Sequence, residues 1–382
     1  MPSLLPYVEK LRLVDHHCHG VVRRDLDRAA FEALLTEADV SGPLGGTLFD
    51  SQIGFALRRW CAPVLDLAPH AAPEEYLARR AELGFAEVTE RFLTAAELAA
   101  MCVDTGYTPE PLLSPAELGD AADAPAYEVV RLERVAEEVA QAGGTAAGFA
   151  DAVLQRLTGT VEERRAVAVK SIAAYRVGLD LPGERPTRAE VTAAADRLLR
   201  TDAVDRAPVR LADQVLHRFL MWAAVDLGLP LQIHVGYGDR DIDLHRCNPL
   251  LLTGLLRAIE PAGVPIMLLH NYPFHREAGY LAQVFPHVFL DVGLATHNLG
   301  HRSSALLAEA LELAPFGKFL FATDAYGLPE LYHLGALLFR RALSDHLQAA
   351  LAEGAFAEPD AARVAELIGA GNARRAYRLP PP

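Results

Sequence analysis

The chain lacks an excess of positive charge. Its 36 lysine and arginine residues are outnumbered by 50 aspartate and glutamate residues, which gives a formal net charge of −14. Proteins that bind nucleic acid normally present a basic patch, so we expect no nucleic-acid partner. The negative charge does not exclude an anionic small substrate, because a bound divalent cation can dominate the local field.

Long apolar runs and closely paired cysteines are also missing. No stretch of about 18 uninterrupted apolar residues occurs, and no basic region precedes an apolar run at the N-terminus, so we expect neither a membrane span nor a secretory signal. The four cysteines form no Cys-x-x-Cys pair. A large chain without an export signal suits the reducing cytoplasm, which is the expected location.

What the chain contains is eight short apolar runs separated by helical patterns. With 382 residues, 51% of them hydrophobic, it is long enough for one α/β barrel of the (β/α)8 type with insertions. Near-continuous apolar strands that alternate with amphipathic helices predict a parallel sheet buried on both faces, and eight such units predict closure into a TIM-like barrel. The predicted strands are 12–19, 99–104, 127–132, 166–170, 229–234, 265–270, 287–291 and 319–324.

The helical patterns lie between and after these strands. We interpret the alanine-rich stretch 142–152 as compositional bias and the tail, 361–377, as a helix broken at 369–371. The other predicted helices are 134–141, 188–200, 211–227, 249–258 and 304–313.

An unusually long connection follows the first strand. A loop of this length in a compact domain usually has a function or its own structure. Helical patterns at 28–37, 55–60 and 73–83, followed by a helix at 87–99, predict a helical cap over about 20–85. We therefore expect a single barrel domain, 1–382, whose cap lies over the barrel mouth.

Side chains that bind metals stand at the ends of four strands. Asp15, His17 and His19 are spaced by two, so on a strand they share one face and the two imidazoles can converge on one ion. His234 ends the fifth strand and Asp324 the eighth, and a carboxylate there would be costly to bury unpaired. The pattern predicts a metal site, with zinc suited best and iron or manganese not excluded.

Two further strand ends carry residues with open roles. His270 ends the sixth strand, where it could ligate the ion, polarise a carbonyl or simply be structural. Lys170 ends the fourth strand, where it could be carbamylated and bridge two metals, bind a substrate carboxylate as a free cation, or form a salt bridge at the rim. Cys18 alternates with the ligands, so we interpret it as a packed thiol.

Several polar residues on the loops after strands four to seven could bind an anionic substrate. Each is individually weak evidence, since surface solvation or loop packing is the better explanation of any one of them. They are Arg176, Arg246, Asn271, Tyr272 and His297, of which Arg176, Asn271 and Tyr272 are the substrate-binding candidates.

Together these motifs resemble the metal-dependent amidohydrolase superfamily, in particular its amidohydrolase-related group. The chain is most similar to the amidohydrolase domain of glutamine-synthetase fusion proteins and to free-standing bacterial relatives. The resemblance runs from about residue 13 to 379. The stretches that carry it are 14–20, 170–176, 234–239, 277–281, 290–293, 323–330 and 372–377.

The resemblance implies roles for the candidate residues. It makes His17, His19, His234 and Asp324 metal ligands and places a catalytic His270 near the metal. Lys170 occupies the position of the carbamylated lysine of binuclear members, whereas many members of this group lack that lysine and bind one ion. We expect one ion, with Lys170 as a substrate-binding cation.

The resulting functional hypothesis is a metal-dependent hydrolase that cleaves a C–N bond of a small carboxylated substrate, such as a γ-glutamyl amide. Asp324 would take a proton from the attacking water and return it to the leaving amine, while His270 helps to stabilise the oxyanion. The alternatives are a metal-dependent decarboxylase of an aromatic or unsaturated acid and a non-catalytic sensor or scaffold. A small-molecule substrate is the expected partner, and homo-oligomerisation stays open.

Overall fold

Seven regular strands organise the part of the chain that the structure describes. The structure is a computed structural model, and it describes residues 4–38, 45–205 and 209–380. The strands are β1 (Leu13–Cys18), β2 (Leu98–Asp104), β3 (Ala126–Arg131), β4 (Ala168–Ser171), β5 (Leu231–Val235), β6 (Ile266–His270) and β7 (Val288–Leu290).

Helices separate the strands, and several begin at a side chain that accepts a hydrogen bond from the first turn. Asp27, Ser51 and Thr145 act in this way, which satisfies backbone N–H groups that have no partner within the helix. The helices are α1 (Pro6–Glu9), α2 (Arg28–Ala33), α3 (Gln52–Trp60), α4 (Pro73–Ala96), α5 (Pro115–Ala122), α6 (Leu132–Gln141), α7 (Ala146–Arg164), α8 (Arg188–Asp205), α9 (Gln214–Asp226), α10 (Thr253–Ile259), α11 (His275–Val284), α12 (Ala295–Asn298), α13 (Ser303–Ala310), α14 (Pro329–Ala352), α15 (Glu358–Glu366) and α16 (Asn372–Tyr377).

The chain forms two compact units, of which the first comprises Met1–Tyr127, Gly238–Arg240 and Asp291–Pro382. Within it, β1 pairs in parallel with β2. On its other side, β1 exchanges backbone hydrogen bonds with the extended segment 319–327. The amide of Asp324 donates to the His17 carbonyl, and the amide of His19 donates to the Ala325 carbonyl. This pairing sets the C-terminal end of β1 beside Asp324.

The second unit comprises Glu128–Tyr237 and Asp241–Leu290. Strands β3 to β7 pair in parallel here, each with the next along the chain. Every residue of β4, β5 and β6 is buried, as expected for parallel strands covered on both faces. The register aligns Arg131, Lys170 and Gln232 in one row across β3, β4 and β5.

The connection after β1 contains helices α2, α3 and α4 of the first unit; its residues 39–44 lie outside the described part. A buried ion pair joins α4 to the start of α14. The Arg80 guanidinium donates to Glu330 at 2.7 Å, and the Tyr76 hydroxyl donates to the same carboxylate at 3.2 Å. Both charged side chains are almost fully buried, so loss of either one would leave the other as an unpaired buried charge.

The helix predictions need correction in four places. Gly84, with φ of 78°, interrupts α4 near the predicted break, but α4 ends at Ala96, before the predicted 99. The stretch read as compositional bias contains the first part of α7, from Ala146 onward, because alanine favours a helix whenever one face can pack. The other helices that were not predicted are α1, α5, α11, α12 and α14. The tail does not break at 369–371, since Leu367–Gly371 forms a π-helical turn between α15 and α16.

The eighth predicted strand is extended but irregular. It runs beside β1, yet the backbone turns left-handed at Asp324, where φ is 51°. A regular strand cannot include such a residue, because its φ must be strongly negative. The left-handed residue interrupts the regular strand geometry at Asp324, and hydrogen bonds to the chain around β1 continue on both sides of it.

No helix among the described residues is both long enough and apolar enough to cross a membrane.

Candidate metal centre

Three ligand atoms converge at the C-terminal end of β1. The Nε2 atoms of His17 and His19 lie 3.1 and 3.4 Å from Oδ1 of Asp324. One ligand atom from each of the three side chains lies within 4.8 Å of the others. Ligands about 2.0–2.1 Å from a tetrahedral ion are about 3.3 Å apart, so two of these distances already match a coordination shell.

The backbone holds His19 in the tautomer that a ligand needs. Its Nδ1 atom lies 3.1 Å from the carbonyl oxygen of Asp104 at the end of β2. Nδ1 therefore carries the proton, and the lone pair of Nε2 is left for an ion. The Tyr332 hydroxyl donates to the His19 carbonyl, which fixes the backbone at the same residue.

On β1, Asp15 precedes the two histidines and binds the residue next to Asp324. Its Oδ1 accepts from the Thr323 amide at 3.0 Å, and its Oδ2 accepts from the Thr323 hydroxyl at 2.5 Å. Burial raises the pKa of Asp15 to about 7, although these hydrogen bonds oppose the change. Asp15 thus fastens the residue before Asp324 to the strand that carries the two histidines.

His16 points away from its two neighbours and was not singled out in the sequence. Its Nε2 atom lies 3.0 Å from Asp291, and its Nδ1 atom lies 2.9 Å from the Tyr377 hydroxyl. This buried group ties β1 to the start of the loop after β7 and to α16. The pattern Asp15–His19 showed that alternate residues face opposite sides, but nothing in it identified partners hundreds of residues away.

Cys18 shares the outward face of β1 with His16. Its thiol is buried and donates to the Cys102 carbonyl at 3.6 Å, while burial raises the pKa of the thiol. It is a packed thiol, as predicted.

His297 is another buried imidazole of the first unit and belongs to α12. Only 1% of it is exposed, and its Nδ1 atom has no hydrogen-bond partner among the described residues. Burial lowers the pKa of His297 to about 4, while the negative charge of the nearby Asp324 opposes this change. The ring is therefore neutral at physiological pH.

His234 and His270 lie together in the second unit, where β5 and β6 end. Their ring centroids are 4.6 Å apart, and the Tyr175 ring lies 4.5 Å from His234. Both imidazoles are buried. The end of β6 is also unusual, because His270 and Asn271 are left-handed, with φ of 69° and 59°. Such conformations in residues other than glycine cluster at functional sites, where the surrounding structure holds them.

Gly236 permits the close approach of the two chain segments that follow β5 and β6. Its φ is 78°, and a Cβ atom there would lie 2.3 Å from the Tyr272 carbonyl oxygen. The Tyr237 amide donates to that oxygen at 2.8 Å. Glycine is therefore required at position 236 for the turn after β6 to keep its place.

Lys170 and Arg176 are the basic candidate residues of the second unit. Lys170 is almost completely buried, in register with Arg131 and Gln232. Arg176 lies 3.5 Å from Glu137, and its Nε atom has no hydrogen-bond partner among the described residues. Burial lowers the pKa of Arg176, so its charge is poorly solvated and would be stabilised by an anion.

The other two substrate-binding candidates have structural contacts. Asn271 is fully buried and donates to the Leu268 carbonyl at 2.5 Å, which stabilises the turn after β6. The Tyr272 ring stacks on His275 with centroids 6.1 Å apart. Arg246 donates to the Val177 carbonyl, so it anchors a loop. Roles of Asn271 and Tyr272 toward a substrate stay predictions.

Comparison with known proteins decides the family. Residues 91–379, about three quarters of the chain, match the model of the amidohydrolase family. The chain belongs to the amidohydrolase family. The membership predicted from the sequence is thus confirmed, although the matched region begins after His17 and His19 and so does not include them.

One solved structure is similar to this amidohydrolase over almost its whole length. It is a protein of Lactobacillus casei that is provisionally assigned as a metal-dependent hydrolase. The two chains are 30% identical, the similarity covers 97% of this chain and 96% of that chain, and the TM-score is 0.84. A uronate isomerase of Thermotoga maritima covers the same shares with 13% identity and a TM-score of 0.62, which shows the fold alone. The predicted α/β fold class is confirmed.

A curated relative is the protein fluG of Emericella nidulans. The two chains are 34% identical over 229 residues, which cover 56% of this chain and 26% of fluG. This amidohydrolase therefore matches about a quarter of that much longer protein. The relation again supports the family.

Proposed function

We propose that this amidohydrolase is a metal-dependent hydrolase that cleaves the C–N bond of a small carboxylated amide. The observation that carries the proposal is the convergence of His17, His19 and Asp324 on one point at the end of β1. A second observation supports it, because the hydrogen bond from His19 to Asp104 selects the ligating tautomer. Neither arrangement has an evident purpose in a barrel that only needs to fold.

The donor set fits one divalent cation, and we propose zinc. Two imidazole nitrogens and a carboxylate oxygen are typical zinc ligands, and a catalytic zinc commonly has three protein ligands. Such a cation supplies the Lewis acidity that makes water nucleophilic near neutral pH. We propose His234 as a further ligand because of the family resemblance. Measurement of the metal content of His234→Ala tests this role, and we expect that content to fall.

In this proposal Asp324 is the residue that moves the proton. Its carboxylate accepts a proton from the attacking water and returns it to the leaving nitrogen, which allows the C–N bond to break. His270 would donate a hydrogen bond to the oxyanion that forms at the carbonyl carbon. His19 keeps its Nδ1 proton throughout, since Nδ1 stays bound to the Asp104 carbonyl.

The carboxylated character of the substrate rests on the cations of the second unit. Arg176 is poorly solvated and has an Nε atom without a partner among the described residues. A substrate carboxylate would satisfy this donor with a charge-assisted hydrogen bond. We propose that Lys170 contributes a second positive charge as an uncarbamylated ammonium, so that one ion binds per chain.

A substrate panel tests the reaction. The zinc-loaded protein is incubated with γ-glutamyl amides and, separately, with aromatic and unsaturated carboxylic acids. We expect release of ammonia or amine from the amides and no gas from the acids. Release of carbon dioxide from the acids, with the amides intact, would contradict hydrolysis and favour the decarboxylase.

Arg176→Lys and Arg176→Met test the recognition of the carboxylate. Both variants should raise KM for the amide substrate that is identified, and methionine should raise it more, about tenfold or beyond, because it removes the charge. An equal effect on an amide without a carboxylate would contradict the role of Arg176.

The cytoplasm is the proposed location. All four cysteines are buried free thiols, which suits a reducing compartment.

A further inference from the structure

Two tyrosines stand beside the candidate metal ligand His19. The ring centroids of Tyr107 and Tyr326 lie 6.3 and 6.1 Å from the His19 imidazole, and 5.0 Å from each other. Both rings are nearly perpendicular to the imidazole, with interplanar angles of 73° and 81°. The two phenol rings and the imidazole therefore form one aromatic group in the first unit.

The backbone holds both rings in place. Tyr107 follows Asp104, whose carboxylate accepts from the Gly106 amide at 2.8 Å and whose carbonyl binds His19. Tyr326 lies between Ala325, whose carbonyl binds the His19 amide, and Gly327, whose amide binds the Gly20 carbonyl. Tyr107 is three residues and Tyr326 one residue from a group that binds the chain at His19 or Gly20, so the pair is preorganised.

The pair is also accessible. Tyr107 is 38% exposed, and Tyr326 is half-buried. Exposed aromatic surface beside functional residues is typical of ligand sites, whose walls are mostly apolar and aromatic. A flat apolar group of a ligand could cover these rings while its polar end reaches the point where the ligand atoms converge.

We propose that Tyr107 and Tyr326 form a subsite that binds an aromatic or similarly flat apolar group of the substrate next to the scissile bond. This inference rests on the proposed function and narrows its substrate class to amides with a ring on one side of the C–N bond. The two tyrosines are specificity-determining residues here and take no part in proton transfer.

Hydroxamates test this subsite without knowledge of the substrate. Acetohydroxamate and benzohydroxamate share the same metal-chelating group and differ in the ring. Their affinities for the zinc-loaded protein are measured by calorimetry. Because its ring stacks on the tyrosines, benzohydroxamate should bind about tenfold more tightly than acetohydroxamate.

Substitutions distinguish the contribution of the tyrosines to hydroxamate binding from that of the metal ligands. In the double variant Tyr107→Leu, Tyr326→Leu, the preference for benzohydroxamate should fall to about twofold or less, while acetohydroxamate binds as before. Tyr107→Phe with Tyr326→Phe should keep the preference, because the rings remain. Tyr280→Leu, which alters an exposed tyrosine of α11, is the matched control and should change neither affinity.

The outcomes distinguish the inference from the function on which it rests. Equal affinity of the two hydroxamates for the wild type, or an unchanged preference in the double leucine variant, overturns the subsite while zinc binding and hydrolysis stand. Failure of zinc itself to bind overturns the proposed function and the subsite with it. Unchanged acetohydroxamate binding in the double variant shows that the variant is folded and still holds zinc.

Discussion

At the scale of single residues, the geometry gives the side chains of one strand different tasks. His17 and His19 face Asp324, whereas His16 faces Asp291 and Tyr377. The sequence predicted the first group, because the spacing of two residues on a strand is a local property. It could not predict the second, since the partners of His16 meet it only through the tertiary fold.

Asp324→Asn should lower turnover by about a hundredfold or more, because the amide keeps the shape of the carboxylate but cannot accept a proton. The folded state should survive, since the backbone amide of Asp324, which pairs with His17, is unchanged. Turnover per folded molecule and the thermal midpoint are measured together. A lowered thermal midpoint together with unchanged turnover per folded molecule would mean that Asp324 is structural.

His297 should make the metal-free protein less stable in mild acid. Its pKa is about 4 in the folded state and about 6.5 when unfolded, so the unfolded chain takes up more protons between these values. The contribution of neutral His297 is present above pH 6.5 and is lost as the pH falls towards 4. Between pH 7.5 and 5 the free energy of unfolding should drop by about 2 kcal/mol from this group.

The test is urea unfolding in the presence of a chelator at both pH values, for the wild type and for His297→Gln. The variant should lose about 2 kcal/mol of the pH dependence, because glutamine does not titrate. His301→Gln, at an exposed histidine, is the control and should keep the wild-type slope. The same slope in His297→Gln as in the wild type would contradict a buried neutral imidazole.

At the scale of elements, the strands were easier to predict than the helices. Apolar runs marked β1 to β7 within a few residues, because buried parallel strands need apolar side chains on both faces. Helix α7 was missed because its alanine-rich start resembles a biased composition, and the π-helical turn at Leu367–Gly371 was read as a break. Glycines weaken a helical pattern, yet packing can hold the backbone in a helical form there.

The turn after β6 depends on one glycine, which a matched pair of variants can show. Gly236→Ala would bring a Cβ atom within 2.3 Å of the Tyr272 carbonyl oxygen at a positive φ, and we expect a loss of about 3 kcal/mol of unfolding free energy. Gly228→Ala has a similar φ but open space around it, and should cost about 1 kcal/mol. Urea unfolding measures both, and equal losses would show that the close approach is unimportant.

At the scale of the whole molecule, the sequence predicted the fold class and the family, and both are confirmed. Recurring ligand side chains at strand ends are a strong signal, since barrel enzymes place their reactive groups there. The sequence predicted no substrate subsite around His19. Tyr107 and Tyr326 lie on separate loops, and only the paired backbone brings their rings together.

Metal content of the purified protein, measured by plasma mass spectrometry after loading with zinc and dialysis, tests the central claim most directly. The account predicts about one zinc per chain in the wild type, a loss of at least about tenfold in occupancy for His17→Ala and His19→Ala, and full occupancy for His301→Ala. A value near two would contradict the single ion and would favour a carbamylated Lys170 that bridges a second ion. Full occupancy in both His17→Ala and His19→Ala, or no bound zinc in the wild type, would contradict the metal centre itself.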